Sequence, residues 1–329
     1  MTVPTRQPSP GRLTALRAKY EPQIASLRGS DTAKAAALAL AMIANNVIAL
    51  ASTVVFARLL TDYASLAALV SYFLILSVAG QAMQVATARE AVLGHLGVGE
   101  SLIATLKRWM MALAVVTVAM TALSVLLRDP IAQAVGVTHD QWAAAIGLPA
   151  GCMWLGLSIL RGGLQGIGDY KSVGISLIGE QAVRLVAGAA LAAIGLGVTG
   201  AYLGTPISFI AMGIYCSLRL RRYADGMPKS SAAPPEAMFG LWAHVKRAWA
   251  PIAGLIVIAV LQNIDIIAAK HRFNGTKDLA SSYAATAVAA KVLVWVAIGA
   301  SFYLVPEVSR RRAETLTPDT AAVSTLAVA

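Results

Sequence analysis

Long uncharged runs alternate along the chain with short charged segments, and this alternation defines the elements. Ala35 to Ala57, Tyr63 to Ala88, Trp109 to Leu127 and Gln141 to Leu160 contain no charged residue. Each reaches the roughly 20 apolar residues that one helical crossing of a hydrocarbon core requires. These predict helices one to four. From Ser172 to Leu218 only Glu180 and Arg184 carry charge, and the stretch is too long for one crossing. It predicts a hairpin of two helices turning near Gly195, Gly197 and Gly200, where glycine lets the chain reverse tightly. Ala248 to Ala269 and Leu279 to Val305 are each interrupted by a single charge and predict helices seven and eight. The runs are too long and continuous for the ten-residue alternation of a membrane barrel, so the expected class is all-α and polytopic, with about eight crossings.

The organisation expected is a tail over 1–34, a six-helix lobe over 35–218, a basic, proline-containing linker over 219–247, the first two helices of a second lobe over 248–306, and a basic tail over 307–329. The last segment ends in the apolar beginning of a further helix. Composition agrees: hydrophobic residues make up 57% and charged residues 13%, where a soluble domain carries roughly 25% charged.

The net charge of +11 follows topology. Arg6, Arg12, Arg17, Lys19, Arg28 and Lys34 precede helix one. Alternate connections hold Arg89, Lys107 and Arg108, then Arg161 and Lys171, then Arg219, Arg221, Arg222, Lys229, Lys246 and Arg247, and Arg310 to Arg312 follow helix eight. The opposite connections hold only Arg58, Arg128, Lys270, Arg272 and Lys277. By the positive-inside rule both termini are expected in the cytoplasm of a plasma-membrane protein. Anionic lipid headgroups, rather than nucleic acid, are the expected partners of that charge. No short apolar stretch with a cleavage site precedes helix one, so no cleaved signal peptide is expected. Cys152 and Cys216 lie in apolar spans and read as small packing residues.

Enzyme chemistry is not expected. No glycine-rich loop ends in Gly-Lys-Ser/Thr to cradle nucleotide phosphates. Gly162, Gly163, Gly166 and Gly168 follow a membrane span rather than a strand and are expected to form a flexible cytoplasmic elbow. His95, His139, His244 and His271 lack the paired spacing of a metal site on a helix. Neither a cofactor nor a metal is expected.

The candidate chemistry lies in the polar groups inside the spans, where an ionisable side chain costs about 2.5–3.5 kcal/mol at the centre. Glu180 and Arg184 stand four apart with the acid first, which favours an ion pair on one helix face. At 1.5 Å per residue from Lys171 they fall roughly 13 to 20 Å deep. Asp265 and Lys291 are a second expected pair, the lysine stem bridging their difference in depth. Asn45, Asn46, Gln81, Gln84, Gln262 and Asn263 add uncharged polar positions. Interhelical hydrogen bonding explains any one of these; together they predict an aqueous cavity between helix groups. Trp109, Trp249, Tyr63 and Tyr303 suit interfacial anchors, and Trp154 and Trp295 packing. Arg58-Leu-Leu-Thr-Asp62-Tyr-Ala-Ser65 is echoed by Gly275-Thr-Lys-Asp278-Leu-Ala-Ser281, each following an outward crossing, which suggests a parallel six-helix repeat.

With these features the chain resembles the polysaccharide-export, or O-antigen flippase-like, branch of the multidrug/oligosaccharidyl-lipid/polysaccharide (MOP) flippase superfamily. The resemblance rests on Val54 to Leu60 ahead of Asp62, Leu160 to Tyr170, Glu180 to Leu185 with Gly195 to Ala201, and Leu261 to Asp265 with Tyr283 to Ala285 and Lys291 to Pro306. It implies two six-helix lobes, alternating access, and movement of a lipid-linked glycan to the outer leaflet without ATP. It also implies that Arg184 and Lys291 meet the headgroup, with Glu180 and Asp265 as partners or coupling groups. The resemblance leads to the expectation that most of the second lobe lies outside this chain, which is then either incomplete or completed by a second chain as partner. Two other readings stand beside this one: a transporter of small cationic drugs, which would need unpaired carboxylates, and a non-transporting membrane scaffold.

Overall fold

A computed structural model describes residues 31–92, 94–227, 249–273, 276 and 278–291. Among them every regular element is helical: α1 (Asp31–Leu59), α2 (Tyr63–Val92), α3 (Glu100–Leu126), α4 (Arg128–Val135), α5 (Gln141–Gly166), α6 (Tyr170–Leu191), α7 (Gly197–Asp225), α8 (Trp249–Arg272) and α9 (278–291). Five helical stretches in this set are long and apolar enough to cross a membrane. The longest, Tyr170–Asp225, runs through both α6 and α7. It folds back at Ala192–Leu196, where Gly195 has φ 102° and Gly197 φ 50°, so the expected hairpin turn is present. Over the described residues the chain is thus all-helical, with the apolar spans of a membrane protein.

Most departures from the expected boundaries have one cause: a charge does not end a helix when the membrane surface is near. α3 begins at Glu100, well before Trp109, and carries Lys107 and Arg108 within it. α1 begins at Asp31, inside the expected tail, and α7 continues to Asp225, inside the expected linker. α4 is a short helix not foreseen in the connection after α3, and Gly136 ends it in the left-handed conformation with φ 81°. The proposed linker beyond 227, the end of the second-lobe segment and the basic tail lie outside the described residues.

The expected glycine elbow is a correction. α5 continues unbroken through Gly162 and Gly163 to Gly166, and only Gly168, at φ 80°, lies in the turn. These glycines are packing positions. A Cβ on Gly162 would sit 2.6 Å from the Gln84 carbonyl oxygen and 2.8 Å from Thr87 Cβ of α2, and one on Gly166 would overlap Ala91. Small residues let membrane helices approach this closely, because packing rather than the hydrophobic effect holds them together. The same device joins the hairpin legs, where a Cβ on Gly204 would meet the Arg184 carbonyl at 2.5 Å.

The core is shared by α2, α5 and α7, with Leu69, Leu157, Leu164, Tyr202 and Leu220 fully or almost fully buried. Trp109 and Tyr63, read above as interfacial anchors, are core residues at 2% and 5% exposure. Two turns are pinned by aspartates. Asp62 accepts hydrogen bonds from Ser65 N (3.1 Å) and Ser65 Oγ (2.9 Å) at the start of α2. Asp169 accepts from Ser172 N (3.1 Å) and Ser172 Oγ (2.7 Å) at the start of α6. Each satisfies an otherwise unpaired helix N-terminal amide.

Gly162→Ala is expected to lower unfolding stability by about 1–3 kcal/mol, because backbone rather than a pliant side chain blocks the added methyl. Gly213→Ala on α7, where nothing lies within 4 Å, is expected to leave stability unchanged or slightly raised. Thermal unfolding of the two purified variants in the same detergent checks the contrast.

Candidate functional site

Two helices, α5 and α6, bring together a charged group that the sequence pattern disclosed only in part. Glu180 and Arg184 lie one turn apart on α6, with Arg184 Nη2 donating to Glu180 Oε1 at 2.6 Å. The second carboxylate oxygen is taken by Arg161 of α5, whose Nη2 lies 2.9 Å from Glu180 Oε2. Arg161 also donates from Nε to Ser176 Oγ and from Nη2 to the Ser176 carbonyl, both at 2.8 Å. Its side chain is 0% exposed and that of Glu180 5%. The assignment of Arg161 to a cytoplasmic connection is therefore a correction. It extends the apolar run of α5 and points inward, and the small and apolar residues after it, Gly162-Gly163-Leu164, were the available signal.

Aromatic rings wall this group. Phe73 of α2, Trp154 of α5 and Phe209 of α7 pack together, with Phe209 centroids 5.4 Å from each of the other two. The Arg184 guanidinium lies over Phe209 (5.4 Å) and Phe73 (5.9 Å), and that of Arg161 over Trp154 (5.4 Å). Cation–π contacts of this kind contribute about 0.5–2 kcal/mol each and partly replace lost hydration. Trp154 Nε1 is satisfied by the Ser77 carbonyl at 2.7 Å, which fits a packing role.

Two guanidiniums sharing one carboxylate leave the cluster with an excess positive charge. Arg161 Nη1, Arg184 Nε, Ser158 Oγ and Tyr202 Oη are buried polar atoms without a protein partner. A buried donor left unpaired costs about 1–3 kcal/mol, more when charged. The arrangement has both the charge and the free N–H groups to receive an anion.

The other expected pair also meets. Lys291 Nζ of α9 lies 3.0 Å from Asp265 Oδ1 of α8, both partly exposed. The uncharged polar positions differ in burial. Asn263 is buried and donates to the Ala259 carbonyl of its own helix at 2.9 Å, while its neighbour Gln262 is exposed. Asn45, Asn46, Gln81 and Gln84 are half-buried along α1 and α2. A third ion pair was not foreseen. Lys270, counted above among the outer loop charges, is 5% exposed and holds both oxygens of Asp62 at 2.9 Å. At the opposite end of the lobe Arg219 Nη2 reaches Asp169 Oδ2 at 3.0 Å.

No family model matches the chain, and no curated protein matches it. Among solved structures it is similar to a MOP superfamily transporter from Pyrococcus furiosus, described as having a binding pocket of reversed polarity that suggests a different function. The TM-score is 0.54 at 15% identity, over 84% of this chain and 64% of that one. The chain therefore shares the fold of a MOP superfamily transporter and spans less than two thirds of its length.

Both turn aspartates titrate below the ordinary carboxylate value of 3.8. For Asp62, burial pushes the value up, but Lys270 and Ser65 outweigh it. For Asp169, burial is likewise outweighed, by Ser172 and Arg219. A depressed folded-state value means that the stability these groups contribute is present above pH 3.8 and is lost as pH falls through the lowered values. Thermal unfolding in detergent over a falling pH series is expected to show this acid loss, and Asp169→Asn to make it shallower.

Proposed function

We propose that the protein moves a lipid-linked oligosaccharide or polysaccharide precursor across the plasma membrane by alternating access, without ATP hydrolysis, and with both termini in the cytoplasm. The observation that carries this reading is the excess positive charge of the Arg161–Glu180–Arg184 cluster together with its unpaired N–H groups. A phosphate-bearing lipid headgroup supplies the complementary charge and acceptor oxygens, and guanidinium is the side chain best matched to it. Arg184 is the contact residue, because its side chain keeps 17% exposure while Arg161 has none. The shared MOP fold supports transport as the activity, and the charge of the cluster supports an anionic cargo.

The pairing of carboxylates weighs against a transporter of cationic drugs. Glu180 is held by two arginines, Asp62 by Lys270 and Asp265 by Lys291. A cationic substrate would have to displace a cation from each before gaining a partner. A purely structural scaffold leaves the unpaired guanidinium atoms unexplained.

Reconstitution into vesicles with a fluorescent polyprenyl-pyrophosphate oligosaccharide tests the proposal, using quenching by an impermeant reductant to read transfer between leaflets. Arg184→Ala is expected to slow transfer about ten- to a hundredfold, the loss of one charge-assisted contact of about 1.5–3 kcal/mol. Arg184→Lys is expected to retain part of the rate. Equal transfer by wild type and Arg184→Ala, or by protein-free vesicles, refutes it.

A further inference from the structure

Among the described side chains, the contact between α8 and the six-helix lobe lies toward one end of α8. Among its described side chains, the buried positions of α8 are Ala259, Asn263, Ile266, Ile267, Ala269 and Lys270. Apart from Ala269 they recur at helical spacing, so they form a single stripe, and all of them follow Val257 and Ile258, which are 60% and 50% exposed. Trp249, at the other end of α8, is 68% exposed. On the lobe side the match is the first part of α2, where Tyr63 to Leu69 are buried without a break. A helix buried on all sides over seven residues has neighbours on both faces, and α2 has α5 on one and α8 on the other.

Polar contacts fasten this end. Lys270 Nζ grips both oxygens of Asp62, and the Ala64 amide donates to Ser281 Oγ of α9 at 3.3 Å. His271 Nε2 lies 3.0 Å from the Ala134 carbonyl at the end of α4. Gly136 leaves room for the lysine stem, since a Cβ there would lie 3.2 Å from Lys270 Cγ. The partners are the two turns that echo each other in sequence: Asp62 caps α2 through Ser65, and Ser281, the counterpart of Ser65 in the second turn, reaches across to the α2 amide.

We propose that Asp62, Lys270 and Ser281 form a releasable clasp that closes this end of the molecule in the state described, and that its opening is the step that exposes this end. By the charge pattern of the loops it is the outer end. A buried lysine–carboxylate pair bridging separate helices suits this, because its attraction lapses once water enters and screens it. Contacts made in one state only bias the balance between states by their own strength. The inference concerns which end opens and does not depend on what is carried.

Nitroxide labels at Thr61→Cys and Thr276→Cys, both exposed positions flanking the clasp, test it on the full chain in lipid nanodiscs with Cys152 and Cys216 replaced by alanine. Wild type is expected to give one short distance by pulsed electron resonance. Lys270→Met, which leaves the Asp62–Ser65 cap intact, is expected to add a longer population, Ser281→Ala a smaller one, and Lys270→Arg none. A disulfide between Ala64→Cys and Ser281→Cys covers any failure of Lys270→Met to fold: its oxidation is expected to leave only the short distance, and the same pair before oxidation to show the small longer population of Ser281→Ala. Unchanged distances in both Lys270→Met and Ser281→Ala, or failure of the cysteine pair to cross-link in the folded protein, overturn the clasp.

Discussion

One carboxylate inside the membrane-embedded lobe, that of Glu180, holds two arginines from two helices, and the interior is arranged around that sharing. Each charge alone would be expensive at this depth. Arg161 is tolerable because Ser176 and Glu180 of α6 saturate one edge of its guanidinium, and Arg184 because Glu180 and two aromatic faces receive it. Breaking a buried pair is far more damaging than its net worth suggests, since the charge left behind has neither water nor partner. The cluster therefore ties α5 to α6 while remaining over-supplied with positive charge. That surplus is the feature a purely structural network has no use for, and it turns a packing element into a candidate binding site.

Such a group is held in place by the close packing of the surrounding helices. Glycine contacts provide the close approach: Gly162 and Gly166 seat α5 against α2, while Gly188 and Gly204 seat the hairpin legs against each other. The aromatic trio of Phe73, Trp154 and Phe209 then fills the space beside the guanidiniums. At the two ends of the lobe the same chemistry recurs in smaller form, an aspartate capping a helix and holding a cation: Asp62 with Lys270 and Asp169 with Arg219. The interior thus carries the candidate site and the ends carry its fastenings.

The apolar spans among the described residues and the hairpin turn were legible in the sequence because hydrocarbon thickness imposes a minimum apolar length, which a charge-to-charge reading detects. The Glu180–Arg184 pair was legible from its spacing, and the Asp265–Lys291 pair from depth along two helices. Arg161 and Lys270 were not, for one shared reason: a cation at the edge of an apolar run looks the same whether it faces headgroups or turns inward. Only the partners decide, and Glu180 and Asp62 are distant in sequence from the cations they hold. Trp109 and Tyr63 misled in a similar way, since an aromatic near a span boundary suits either an interface or a core. The glycine-rich stretch after Ser158 shows the opposite ambiguity, because closely spaced glycines serve a turn and a tight helix contact equally well.

Binding in nanodiscs separates an anion site from every competing account of this interior. With a polyprenyl pyrophosphate and a lipophilic cation titrated against wild type and Arg184→Ala, the account predicts saturable pyrophosphate binding to wild type. It also predicts an affinity loss of about tenfold or more in the variant, and no saturable binding of the cation. Saturable cation binding, or pyrophosphate affinity unchanged by Arg184→Ala, would contradict it.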